Sequence, residues 1–193
     1  MQRVCVFCGS SPGANACYRE LARDLGSQLV TRGLALVYGG GNVGLMGVLA
    51  NTVLDGGGEV IGVIPQALAD LEVAHTGLRD LRIVGSMHER KALMADLADA
   101  FIALPGGMGT VEEFCEILTW TQLGMQTKPC GLLNVAQYFD SLLDFFDHAV
   151  EERFLRPEHR AMVLVDDVPA RLIDRFERYQ PPALAKWIDR GER

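Results

Sequence analysis

The chain has 193 residues, 49% of them apolar, and a formal net charge of −7 from 18 Lys and Arg against 25 Asp and Glu. A length of this order fits one domain with a substantial core, so residues 1–180 are expected to form a single nucleotide-binding α/β domain and residues 181–193 a C-terminal arm. The acidic balance and scattered basic residues argue against a nucleic-acid surface. No apolar run reaches the roughly 18 residues of a membrane span, and Met1-Gln2-Arg3-Val4 enters a strand-like segment without a leader layout, so a cytoplasmic protein is expected.

Short apolar runs alternate with longer stretches of helical spacing. Val4–Cys8 predicts a strand ending in Gly9-Ser10-Ser11, and a helix follows from about Asn15 to Thr31, with Leu21, Leu25 and Leu29 on one face and Gly33 at its end. Leu34–Tyr38 predicts a second strand, running into Gly39-Gly40-Gly41, and residues 43–55 a helix. Glu59–Ile64 is a third strand, stopped by Pro65, after which residues 66–80 read as irregular. Leu81–Val84 and His88–Leu97 form the next strand and helix, and Ala100–Leu104 and Val111–Leu123 the pair after that. Strand Gly131–Val135, helix Ala136–Glu151, strand Met162–Val165 and a helix from Pro169 to Arg178 complete the series.

The strands are continuous apolar runs rather than alternating ones, as a sheet covered on both faces requires. Strand–helix alternation of this kind gives parallel pairing with right-handed crossovers. The expected fold is a Rossmann-like, doubly wound parallel sheet, with its ligand beyond the carboxyl ends of the strands.

The glycines gather at those ends. Gly39 to Gly44 contains a G-x-G-x-x-G after a strand, but the following strand ends in Ile64-Pro65 and lacks the terminal acid of a dinucleotide site. Pro105-Gly106-Gly107-Met108-Gly109-Thr110 is more specific: three glycines in four positions leave bare backbone at the mouth of a helix, where free N–H groups and a partial positive charge attract a phosphate. Glu113 has two readings. It is the acid of a capping box Thr110-Val111-Glu112-Glu113, or it is a carboxylate placed beside a phosphate-binding turn. Arg90 and Lys91 stand near a helix start, where two cations oppose the dipole, a local misfit that points to a ligand or carboxylate contact.

Five Cys include the C-x-x-C pair Cys5 and Cys8. Cys5 alternates with Val4 and Val6 along a buried strand, and no second ligand pair for zinc follows, so structural thiols are expected and no metal site.

Four blocks carry a resemblance: Cys8-Gly9-Ser10-Ser11, Tyr38-Gly39-Gly40-Gly41 through Gly44-Leu45-Met46-Gly47, Met87-His88-Glu89-Arg90-Lys91, and Pro-Gly-Gly-x-Gly-Thr-x-x-Glu at 105–113. Together they resemble the LONELY GUY family of cytokinin riboside 5′-monophosphate phosphoribohydrolases, proteins also described as possible lysine decarboxylases. The resemblance implies a homodimer that cleaves the N-glycosidic bond of a nucleoside 5′-monophosphate, releasing free base and ribose 5-phosphate without a metal or organic cofactor. It makes Arg90 and Glu113 the catalytic pair. It places Gly107, Met108, Gly109 and Thr110 in the phosphate-and-ribose turn, with Lys91, Glu72 and Thr119 as further substrate contacts, and Gly106 and Glu112 are candidate substrate-binding residues beside the turn. Gly9, Ser10, Gly40 and Gly41, at the neighbouring strand ends, complete the candidate site.

Three other readings compete. An AMP-directed purine nucleotide nucleosidase would use the same residues, and a non-catalytic nucleotide-binding protein would use the same glycine turns. A lysine decarboxylase would need a Lys for a pyridoxal phosphate Schiff base, and the chain has only Lys91, Lys128 and Lys186. The segment 111–124, with Phe114, Ile117, Leu118, Trp120 and Leu123, carries more apolar surface than one sheet face needs, which is consistent with a subunit contact.

Overall fold

A computed structural model of the chain describes residues 1–71 and 74–181. Glu72 and most of the expected C-terminal arm (182–193) lie outside the described residues. The elements are β1 (Arg3–Phe7), α1 (Ala16–Thr31), β2 (Ala35–Tyr38), α2 (Gly44–Asp55), β3 (Val60–Pro65), the short α3 (Gln66–Ala69), β4 (Asp80–Val84) and α4 (Met87–Leu97). They continue with β5 (Ala100–Ala103), α5 (Met108–Gln122), β6 (Cys130–Leu133), a 3-10 turn (Val135–Gln137), α6 (Asp140–Glu151), α7 (Pro157–Arg160), β7 (Val163–Asp166) and α8 (Pro169–Glu177).

The strands form one sheet in the order β4-β3-β2-β1-β5-β6-β7, and every pairing is parallel. The apolar runs pack on both sides of it. Val4 and Val6 of β1 face a core built with Leu25 and Leu29 of α1, Leu49 of α2 and Leu172 of α8. Cys5 and Phe7, one residue out of phase, face a second core with Met94 of α4 and Phe114 and Ile117 of α5. Two covered faces explain why the sequence shows runs of Val, Ile, Leu and Ala instead of alternation. The chain winds outward from β1 to β4, then returns through α4 to place β5 on the other side of β1. The strand order therefore reverses between β1 and β5, where an open α/β sheet leaves a crevice for a ligand.

Several expected boundaries shift for local reasons. The helix expected from Val111 begins at Met108, because Gly107 takes an extended conformation and serves as its N-cap. The capping box at Thr110 to Glu113 is therefore not formed, since Thr110 already lies inside the first turn. A cap of that kind does occur on α4, where Ser86 Oγ accepts from Glu89 N–H at 3.1 Å and Glu89 Oε2 accepts from Gly85 N–H at 2.7 Å. The helix expected from Ala136 begins only at Asp140. Asn134 intervenes: its Oδ1 accepts from Phe139 N–H at 2.7 Å and its Nδ2 donates to Asp140 at 2.7 Å, a side-chain alternative to helical bonding. Pro65 does not stop β3 but closes it, paired with Val84 at the carboxyl end of the strand, and the stretch expected to be irregular contains α3.

Candidate active site at the strand switch

Gly9 ties the ends of the central strands together. Its N–H donates to the Pro105 carbonyl at 3.1 Å, and its own carbonyl accepts from Leu45 N–H at 3.0 Å. The turns after β1 and β5 and the start of α2 thus meet at one residue. Gly44, with φ +58°, lets α2 come this close, since a Cβ there would fall 2.3 Å from the Ser10 carbonyl carbon.

Beside this junction lies a cavity of about 350 Å³, within the size range of small-molecule sites. One wall is the start of α5: Gly107, Met108, Gly109 and Thr110. The first helical bond there runs from Val111 N–H to the Gly107 carbonyl at 3.2 Å, so the amides of 108 to 110 precede the intrahelical ladder. Among the described residues no side chain caps them, which suits an anion. Gly9, Ser10 and Gly41 supply more of the wall, and Met46, Ile64 and Leu68 make an apolar side.

Arg90 and Glu113 close the floor. Arg90 Nη1 donates to Glu113 Oε1 at 3.0 Å, Nε to the Val63 carbonyl at 3.0 Å and Nη2 to the Gly39 carbonyl at 3.3 Å. The guanidinium fork is thus fixed by the ends of β2 and β3 as well as by the carboxylate. Burial pushes the Glu113 carboxyl above its ordinary value, and the Arg90 charge offsets only part of that rise. A carboxylate raised in this way beside a cavity has the character of a functional group.

The remaining candidates are arranged differently. Lys91 Nζ lies 2.6 Å from Glu112 Oε1 and 3.0 Å from Glu116 Oε2, outside the lining of the cavity. The two adjacent cations of α4 thus each meet carboxylates of α5, which resolves the dipole misfit evident in the sequence. Gly40, with φ +74°, packs against Ile64 and Val63 of β3, and its carbonyl accepts from His75 N–H at 2.8 Å. Gly106 lies behind the α5 turn, lining a second cavity with Tyr18 and Tyr138. Thr119 donates to the Cys115 carbonyl at 2.8 Å and faces an apolar groove with Phe145, Phe146 and Phe154.

Sequence reasoning missed the Val63 carbonyl, because a backbone acceptor has no residue-type signature. It also missed Leu68, whose placement depends on α3 inside a stretch read as irregular. Cys5 and Cys8 are free and buried, and burial pushes both thiols well up, the opposite of an activated thiolate.

A doubly wound parallel sheet with bare helix amides and an Arg–Glu pair at its switch defines a Rossmann-like protein with a candidate site in its crevice. The sequence pattern of the family described as "Possible lysine decarboxylase" matches residues 46–176. A probable cytokinin riboside 5′-monophosphate phosphoribohydrolase of Oryza sativa subsp. japonica is 53% identical over 181 residues, covering 94% of this chain and 74% of that protein. A cytokinin riboside 5′-monophosphate phosphoribohydrolase of Arabidopsis thaliana is 50% identical over 180 residues, covering 93% of this chain and 84% of that one. Among solved structures, the molybdenum cofactor carrier protein of Chlamydomonas reinhardtii superposes with a TM-score of 0.69 at 20% identity, covering 92% of this chain and 96% of that one, a likeness of fold. The chain belongs to the cytokinin riboside 5′-monophosphate phosphoribohydrolase family, the one described as possible lysine decarboxylase.

Proposed function

We propose that this chain hydrolyses the N-glycosidic bond of cytokinin riboside 5′-monophosphates, releasing the free base and ribose 5-phosphate. The observation that carries this reading is the Arg90–Glu113 pair at 3.0 Å, set in one cavity with the bare amides of α5. The phosphate docks on the amides of Gly107 to Thr110, where the helix dipole favours it. The ribose then lies toward Glu113. As the bond breaks, its electron pair leaves with the base nitrogen and positive charge grows on the sugar, as in other glycosyl hydrolyses. The Glu113 carboxylate stabilises that charge and accepts a proton from the attacking water, whose oxygen bonds to the anomeric carbon. That proton then goes to the departing base. Arg90 holds Glu113 in one orientation and presents the rest of its fork to the substrate.

Gly9, Ser10, Gly41, Gly107, Met108, Gly109 and Thr110 are proposed as direct contacts. Lys91 and Glu112 serve by locking α4 to α5. Lysine decarboxylation is disfavoured by the two lysines among the described residues: Lys91 is held between two carboxylates, and Lys128 Nζ donates to the Ala95 carbonyl at 2.8 Å over the Phe101 ring, while Lys186 lies outside the described residues.

The protein is further proposed to act in the cytoplasm as a homodimer. Among the described residues no helix is long and apolar enough to cross a membrane. The five free cysteines suit a reducing compartment. Exposed Phe145 and Phe154 beside α5 offer an apolar face for a second copy, and Thr119, which lies on that face, would reach a substrate only across such a contact. The test is base release from isopentenyladenosine monophosphate and from AMP by the purified protein. Faster release from the former supports the reading. Faster release from AMP points to a purine nucleotide nucleosidase, and binding of both without release points to a carrier.

A further inference from the structure

The Gly106-Gly107 turn has a second cavity at its back. This one holds about 310 Å³ and shares Gly9, Ser10 and Gly107 with the cavity of Arg90 and Glu113. Its aromatic wall is Tyr18 and Tyr138, whose rings meet edge to face at 5.5 Å. From that wall the Tyr138 hydroxyl donates to the Gly106 carbonyl at 2.5 Å, across 32 residues of sequence.

An unusual loop delivers Tyr138. Ala136 and Gln137, just before it, both take left-handed φ values, 50° and 59°, a conformation costly for residues with a Cβ. Asn134 braces the loop from the other end through Phe139 and Asp140, and Phe139, buried in the core, packs against the Tyr138 ring at 5.0 Å. Strain held by surrounding structure in this way gathers at functional sites.

We propose that Tyr138 is a positioning residue for phosphate recognition, orienting the Gly107 amide through its bond to the Gly106 carbonyl. The coupling follows from peptide planarity. In a trans peptide the carbonyl and the next N–H point in opposite directions. With the Gly106 carbonyl held by Tyr138, the Gly107 N–H is directed away from the Tyr138 hydroxyl, and Gly107 borders both the cavity of Tyr138 and the cavity of Glu113. A peptide between two glycines has no Cβ on either side to resist rotation, so this bond adds a restraint on the amide that the glycines themselves do not supply. The hydroxyl thus supplies the preorganisation that the glycines give up in order to let a phosphate approach. Gly106 itself is confined, since a Cβ there would fall 2.1 Å from Thr110 Oγ1.

This inference rests on the proposed nucleotide hydrolysis, and the test separates the two. Ribose 5-phosphate and free adenine are titrated by calorimetry into the wild type, Tyr138→Phe and Tyr18→Phe, and kcat and KM for the nucleotide are measured in parallel. Tyr138→Phe keeps the ring and its packing. It is expected to weaken ribose 5-phosphate by about three- to tenfold, the scale of one hydrogen bond, with adenine affinity unchanged. KM rises by a similar factor and kcat stays within about twofold, since the bond acts on ground-state and transition-state phosphate alike. Tyr18→Phe, which alters the same wall but leaves the Gly106 bond, retains wild-type ribose 5-phosphate affinity. Unchanged ribose 5-phosphate affinity in Tyr138→Phe would overturn the assignment, as would equal weakening of both ligands or a fall in kcat at constant KM. A wild type that binds ribose 5-phosphate but releases no base overturns the hydrolase reading alone, because the binding comparison needs no turnover.

Discussion

Arg90 Nη1 stands 3.0 Å from Glu113 Oε1, and the two side chains are each only 10% exposed. A buried ion pair of this kind is costly to break: losing one partner strands a charge, at about 3–5 kcal/mol, whereas replacing both with apolar groups is often neutral or better. Arg90→Met is therefore expected to lower stability sharply, and Arg90→Met/Glu113→Leu to recover most of the loss while remaining inactive. Glu113→Gln, which keeps size and shape, should cost about 10²–10⁴ in base release. Urea unfolding and product assays on the three variants check this. A stable double variant with wild-type turnover would remove the pair from the mechanism.

The pH profile carries the same pair in another form. Burial raises the Glu113 carboxyl above the ordinary 4.5, and its ionised form is the one that accepts a proton. The acid limb of kcat/KM is therefore expected above pH 4.5, with activity falling as pH drops through the raised value. Arg90 holds that value down, so residual activity in Arg90→Met should show a limb displaced to still higher pH. A limb that keeps its position after loss of Arg90 would mean that another group titrates there.

Gly39 tests how closely Arg90 must be positioned. A Cβ on Gly39 would fall 2.0 Å from Arg90 Nη2 and 3.3 Å from Met46 Sδ, while the backbone there needs no left-handed φ. Gly39→Ala can thus keep its backbone but must push the guanidinium aside, and a misplacement on the order of 1 Å costs about 10² in rate. Activity is expected to fall by about that factor, with a lowered melting temperature because the displaced guanidinium weakens its buried bonds to Gly39 and Glu113. Full activity in the alanine variant would show that the fork can move without consequence.

Gly39 also shows where reading from sequence ran out. The order of elements was legible because each buried strand is an apolar run and each covering helix has its own spacing, and the site was legible only as lying beyond the carboxyl ends of the strands, since the reversal between β1 and β5 depends on the strand order. The glycine turn was legible because bare backbone at a helix mouth is a composition signal. The start of α5 was not, since Thr110-Val111-Glu112-Glu113 mimics a capping box and only the extended Gly107 rules it out. Nor was the role of Gly39, which is set by the Arg90 side chain 51 residues away. Lys91 matched a motif, yet its Nζ lies against Glu112 and Glu116, a direction that spacing along the chain does not encode.

The loop at Ala136 predicts a stabilising change. Its φ of 50° and ψ of 31° cost a residue with a Cβ roughly 1 kcal/mol, which glycine does not pay. Ala136→Gly should therefore be neutral to stabilising by up to about 1 kcal/mol, the greater freedom of glycine in the unfolded chain offsetting part of the gain. The usual sign for Ala→Gly is destabilising. A clear loss of stability in urea titration would show that the strain is already relieved by neighbouring bonds.

The proposed subunit contact can be tested through its exposed aromatics. Phe154 is 83% exposed and Phe145 62%, and both line the groove that includes Leu118 and Thr119 of α5. Burying two such rings against a second copy stabilises association by several kcal/mol, whereas an aspartate in either place would carry an unpaired charge into the contact. Phe154→Asp is expected to shift the protein to monomer in sedimentation equilibrium without loss of the fold, because an exposed ring contributes little to its own chain's core. Activity adds a further constraint. If Thr119 reaches substrate across this contact, the monomer loses base release although its own Arg90 and Glu113 are intact, and activity returns with protein concentration as the dimer re-forms. A monomer with full turnover per chain would confine Thr119 to a structural role on α5. An unaltered dimer would place the subunit contact elsewhere on the surface.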